Sequence, residues 1–103
     1  MKKFYAACLS ALFFSSCAYA DEVKIDISNY AFTPATVTVA PGTKVTWVNR
    51  DQIPHGVADK DKLFRSPAMD TNETYSFTYT IAGSHPYFCT LHPYMTGTVV
   101  VTK

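Results

Sequence analysis

The chain is 103 residues long, carries a formal net charge of +1 and has only 17% charged residues. That length fits one small domain with one core, and the near-neutral balance lacks the basic patch of a nucleic-acid binder. No segment approaches the roughly 20 consecutive apolar residues that a membrane span requires.

Residues 1–20 read as an export signal, with Lys2 and Lys3, an apolar run from Phe4 to Phe14, and Ala18-Tyr19-Ala20 as a small-x-small cleavage site. Cys17 offers an alternative as the acylated first residue of a lipoprotein. Phe14-Ser15-Ser16-Cys17 lacks the leucine expected of such a site, so an ordinary signal peptide and a periplasmic product are the expectation. Removing these 20 of 103 residues leaves 83, a single domain over 21–103. The loss of Lys2 and Lys3 from nine Lys and Arg leaves seven against eight Asp and Glu, a net of −1. Cys8 and Cys17 are lost as well, which makes Cys89 the sole cysteine. No intramolecular disulfide can then form, and a lone thiol in an oxidising compartment must be buried, paired between chains or bound to metal.

From residue 21 onward the pattern is that of strands. Apolar residues alternate at Val23, Ile25 and Ile27, at Val37 and Val39, at Val45 and Trp47, at Tyr75, Phe77 and Tyr79, and at Val99 and Val101. Turn signals separate them: Thr33-Pro34, Pro41-Gly42-Thr43, Ser66-Pro67, Asp70-Thr71-Asn72 and Ala82-Gly83-Ser84. Short strands at this spacing predict an all-β fold, an antiparallel Greek-key β-sandwich, whose end loops can hold side chains from distant parts of the chain in one geometry.

Two of those loops carry the chemistry. His55 stands in Pro54-His55-Gly56, after the strand-like Lys44–Asn49. Cys89-Thr90-Leu91-His92-Pro93-Tyr94-Met95 ends one strand and leads into the last, Gly97 to Thr102. A thiolate, two imidazoles and a thioether are the donor set of electron-transfer copper, with His₂Cys in a trigonal plane and a long axial Met. Read separately, Cys89 could be a buried small hydrophobe and His55 a surface-loop histidine, but the fixed spacing of Cys89, His92 and Met95 favours ligation. His85, four residues before Cys89 in the same strand-like segment, reads as a strand-end residue. Met69 reads as packing, and Asp51 as a residue that orients His55. Trp47, Tyr75, Phe77, Tyr79, Tyr87 and Phe88 read as core and sheet-face aromatics. Three strong ligands and a weak axial one leave no position for substrate, and no general base accompanies them, so the chain does not read as an enzyme. Zinc would favour more cysteines and no thioether. The Cys-x-x-Cys-His of haem attachment is absent from the sequence.

At these residues the chain resembles the cupredoxins, the small blue copper proteins, and within them the amicyanin group. The resemblance runs from about Val23 to the C-terminus. It rests on Val45-Thr46-Trp47-Val48-Asn49-Arg50, Pro54-His55 and Cys89–Met95, followed by Gly97 and a valine run. It implies one type 1 copper cycling between Cu(I) and Cu(II), held by His55, Cys89, His92 and Met95. It further implies redox-protein partners, among them a periplasmic dehydrogenase and a c-type cytochrome, docking near His92, Pro54, Leu91, Pro93 and Tyr94. A periplasmic copper buffer or chaperone is the alternative use of the same donors. Three departures from the amicyanin pattern stand out. An additional N-terminal strand is missing, which leaves a sheet edge to which a second copy could add. Gly56 replaces an asparagine whose side chain would clasp the two ligand loops, so the site is expected to be looser. Leu91 replaces a proline and brings an N–H that could donate to the Cys89 sulfur.

Overall fold

Alternation of apolar and polar side chains organises residues 22–103, the part of the chain that this computed structural model describes, into eight strands. In chain order they are β1 (Glu22–Ser28), β2 (Ala31–Thr33), β3 (Thr36–Val39), β4 (Thr43–Asn49), β5 (Ala58–Asp59), β6 (Thr74–Tyr79), β7 (Gly83–Phe88) and β8 (Thr96–Val101). The export signal and the acylation alternative at Cys17 fall outside the described residues. In β1, Ile25 and Ile27 are fully buried while Lys24 and Asp26 face out, the two-residue period of a strand with one face on the core. Among the described residues, no helix is long and apolar enough to cross a membrane.

The strands form two four-stranded sheets, ordered β2-β1-β4-β6 and β3-β8-β7-β5, that pack as the expected all-β sandwich. The sheets are mixed, however, and not purely antiparallel. β1 runs parallel to β4, with Ile25 opposite Trp47, and β3 runs parallel to β8, with Val37 opposite Val99. After β2 the chain leaves the first sheet for β3 in the second and returns for β4, so β4 reaches β1 by a crossover and not by a hairpin. Apolar alternation records which face is buried; strand direction leaves no mark on it.

Trp47 sits at the centre of the core, fully buried, with the Tyr87 ring edge-on at 5.2 Å and the Phe64 ring at 5.3 Å. An aromatic of this size removes roughly 150–250 Å² from water. Tyr87 lies across Gly97, its partner on β8, and a Cβ on Gly97 would collide with the tyrosine ring. Met69 is buried in the core, the packing role expected of it. His85 is not a strand-end residue. It sits inside β7 opposite Val99, is buried, and has Nε2 2.7 Å from the Ile81 carbonyl. This strand begins two residues before it, at the Gly83 that reads in sequence as a turn signal.

The β1–β2 connection is a tight hairpin. Ser28 pairs with Ala31, leaving Asn29 and Tyr30 as a two-residue hairpin loop with φ of 54° and 60°. Two consecutive left-handed residues make a type I′ turn, for which Asn-Gly is the favoured pair. A tyrosine in the second position costs about 1–2 kcal/mol against glycine.

Candidate metal centre

His55 is placed by the segment that follows β4. The Asn49 side chain is fully buried and satisfied at both ends. Its Nδ2 donates to the carbonyls of Ile53 and Met69, each at 2.9 Å, and its Oδ1 accepts the Asp51 N–H at 2.9 Å. That last bond is an Asx turn, which folds the chain back two residues on. The His55 backbone then bonds Met69 in both directions, N–H to carbonyl at 3.2 Å and the reverse at 2.7 Å. The imidazole is fully buried.

The second ligand segment leaves β7 directly. Phe88 opposite Thr96 is the last pair of the ladder. The Cys89 N–H donates to the Met95 carbonyl at 3.0 Å, and the Met95 N–H donates to the His92 carbonyl at 2.8 Å, closing the loop on itself. Cys89 and Met95 are buried and His92 is half-buried. The Thr90 N–H donates to the Gly56 carbonyl at 3.3 Å, so a backbone bond joins the two ligand segments where a side-chain clasp was expected to be lost. Thr90 Oγ1 occupies the space that a Cβ on Gly56 would need. Sγ of Cys89 has the two imidazoles as polar neighbours.

The three donor atoms converge. Cys89 Sγ lies 3.6 Å from Nδ1 of His55 and 3.7 Å from Nδ1 of His92, and all three lie within 4.8 Å of one another. Bonds of roughly 2.0–2.3 Å to nitrogen and sulfur would separate an imidazole nitrogen from a thiolate by about 3.6 Å at angles between tetrahedral and trigonal. The two sulfur–nitrogen separations therefore suit bonds to a single ion. Asp51 Oδ2 is 2.7 Å from Nε2 of His55. The Nε2–H donates to this carboxylate and the Nδ1 lone pair is left facing Sγ, the tautomer a metal requires. Burial works to raise the Asp51 carboxyl, but hydrogen bonds from the Asn29 N–H, the His55 imidazole and the Tyr30 N–H outweigh it and hold the group below the usual carboxylate range.

The family model described as copper binding proteins, plastocyanin/azurin family, matches residues 19–102. The chain belongs to that family. It is 39% identical over 87 residues to an amicyanin of Paracoccus versutus, covering 80% of this chain and 66% of that protein. It is 32% identical over 119 residues to an amicyanin of Paracoccus denitrificans, covering 93% and 91%. Among solved structures, an oxidised amicyanin mutant superposes with a TM-score of 0.72 at 34% identity, covering 77% of this chain and 80% of that one. A purple cupredoxin from Nitrosopumilus maritimus gives 0.74 at 30% identity, covering 77% and 98%. Copper is the metal that this cupredoxin chain takes, and the His55, Cys89 and His92 cluster suits a type 1 site.

Sequence reasoning missed three residues at the centre. Asn49 was legible only as the end of a strand. Thr90 was legible only as a spacer. Tyr30 gave no signal, yet its ring lies edge-on to both imidazoles, with centroids 5.8 Å from His55 and 5.2 Å from His92.

Proposed function

We propose that this protein is a periplasmic type 1 copper protein that carries single electrons between redox partners, with His55, Cys89, His92 and Met95 as the ligands. The observation that carries the reading is the buried thiol with two imidazole nitrogens at 3.6 and 3.7 Å, a donor set that suits both copper oxidation states. Copper supplies a one-electron couple when bound. The chain supplies rigidity: Asn49 and Asp51 fix His55, and the Cys89–Met95 loop is closed by its own backbone bonds. Ligands that are already held in place need little movement when the charge changes. Met95, buried beside the cluster at the end of that loop, is the axial donor in this reading.

Electrons enter and leave at the half-buried His92. Leu91, Pro93 and Tyr94 of the same loop, and Pro54 next to His55 in the chain, are exposed, and none is charged. A small apolar surface of this kind suits brief docking of a redox protein such as a dehydrogenase or a c-type cytochrome rather than permanent assembly. The locked backbone of both ligand segments favours this role over copper buffering, which needs easy exchange. Adding one equivalent of Cu(II) should give an intense thiolate-to-copper band and narrow hyperfine splitting by EPR, both lost in Cys89→Ala. An ordinary Cu(II) spectrum unaffected by that substitution would overturn the reading.

A further inference from the structure

The β1–β2 turn places an aromatic residue where the backbone favours glycine. Both loop residues are left-handed, and the second is Tyr30, at φ 60°. Asn-Gly would make this turn without strain. An outlier of this kind is a reason to look for what the side chain does there. The Tyr30 ring stands almost perpendicular to both imidazoles, at 89° to His55 and 88° to His92. The turn is tied to the site from below. Asp51 accepts the Asn29 N–H at 2.8 Å and the Tyr30 N–H at 3.2 Å, using the same carboxylate that accepts from His55.

The two imidazoles differ in how they are held. His55 is fully buried and has Asp51 on its far nitrogen. His92 is half-buried, and its ring neighbours are His55 at 5.0 Å, Tyr30 at 5.2 Å and Tyr94 at 6.2 Å. Tyr94 is 72% exposed and belongs to the same loop as His92, so it moves with the residue it would restrain. Tyr30, itself 48% exposed, is the tyrosine that comes from the other sheet, at the turn between β1 and β2.

We infer that Tyr30 is a positioning residue for the copper centre: its ring walls in His92 against the core and so limits loss of the metal. This rests on the copper reading above. The ring, not the hydroxyl, makes both contacts, so Tyr30→Phe retains the function. Tyr30→Gly creates the favoured Asn-Gly turn and Tyr30→Asn also tolerates the left-handed backbone. Both remove the ring with little threat to the fold.

The experiment compares the full protein with these three variants. Copper release from the loaded proteins to excess EDTA is followed by decay of the thiolate-to-copper band. Thermal unfolding and imidazole ¹⁵N spectra are recorded on the metal-free proteins. Tyr30→Gly and Tyr30→Asn should release copper at least tenfold faster, with Tyr30→Phe within twofold of the parent. Metal-free Tyr30→Gly should unfold at the parent's temperature or above, while its His92 resonances shift toward those of a solvent-averaged ring. Release within twofold of the parent in both ring-less variants, or release from Tyr30→Phe as fast as from Tyr30→Gly, would overturn the inference. If the parent itself gives no thiolate-to-copper band, the copper reading fails. An unchanged His92 spectrum in metal-free Tyr30→Gly would then dispose of the positioning role separately.

Discussion

Oδ2 of Asp51 lies 2.7 Å from Nε2 of His55, and the same carboxylate receives the backbone N–H groups of Asn29 and Tyr30. One side chain thus orients an imidazole and fixes the turn that faces it. Asp51→Ala should lower copper affinity roughly 10–100-fold, the usual effect of losing the partner behind a ligating histidine. It should also lower stability by about 1–3 kcal/mol, since charge-assisted hydrogen bonds are removed. Competition with a chromophoric chelator and urea unfolding of the metal-free protein measure the two effects. Unchanged affinity would mean that the loop alone orients His55.

Gly56 and Thr90 fit together because one lacks the Cβ that would strike the other's hydroxyl. Gly56→Ala should therefore push the two ligand segments apart and shift the visible spectrum of the copper form. Thr90→Ala in the same molecule should restore it in large part, since the oxygen that collides is gone. A double-mutant cycle on copper affinity should show coupling of about 1 kcal/mol or more, as for residues in contact. Strict additivity would rule out this contact as the cause.

Gly97 is under the same kind of constraint, imposed by the Tyr87 ring. Overpacking of this sort costs about 1–3 kcal/mol. Gly97→Ala should lower the urea midpoint accordingly with an unchanged slope, and Tyr87→Ala should make the added methyl tolerable.

Alkaline pH supplies a fourth test. Burial pushes the Tyr87 phenol up to about 12, and burial raises the Tyr79 phenol well above its ordinary value too. An unfolded tyrosine ionises near pH 10. Between these values the folded chain holds a proton that the unfolded chain has lost, so stability falls as pH rises. The contribution is intact below about pH 10 and lost on passing through about 12, with a slope of about 1.4 kcal/mol per pH unit for each such group. Tyr87→Phe should flatten the profile of stability against pH from about pH 10 to 12 by one group's share. A profile parallel to the parent's would show that Tyr87 ionises as freely folded as unfolded.

The approach of Cys89 to His92 was legible because it rests on covalent spacing, with only two residues between them. Asp51 was legible too, four residues before His55. The strands were legible as faces but not as directions. Nothing in the alternation of Ile25, Ile27, Val45 and Trp47 distinguishes the parallel pairing of β1 with β4 from an antiparallel one. β2 and β5 are three and two residues long, too short to show a period. Tyr30 was hidden for a different reason. Asn-Tyr is not a turn signal, and only the backbone conformation and the rings on either side give it meaning.

His55 and Cys89 are 34 positions apart in sequence, while Cys89 and His92 are only three apart. An unfolded chain can offer copper the local thiolate and imidazole at little cost, but recruiting His55 means closing the long loop, an entropic penalty of about 3 kcal/mol. In the native protein the fold has already closed it, and the Thr90 N–H bond to the Gly56 carbonyl joins the two ends. In the proposed ligand set, His55 is therefore the donor by which copper would discriminate native chain from unfolded chain, by roughly two orders of magnitude in affinity. Cys89 is the one cysteine among the described residues, so the ion would serve there as a cross-link, applied only once folding is complete.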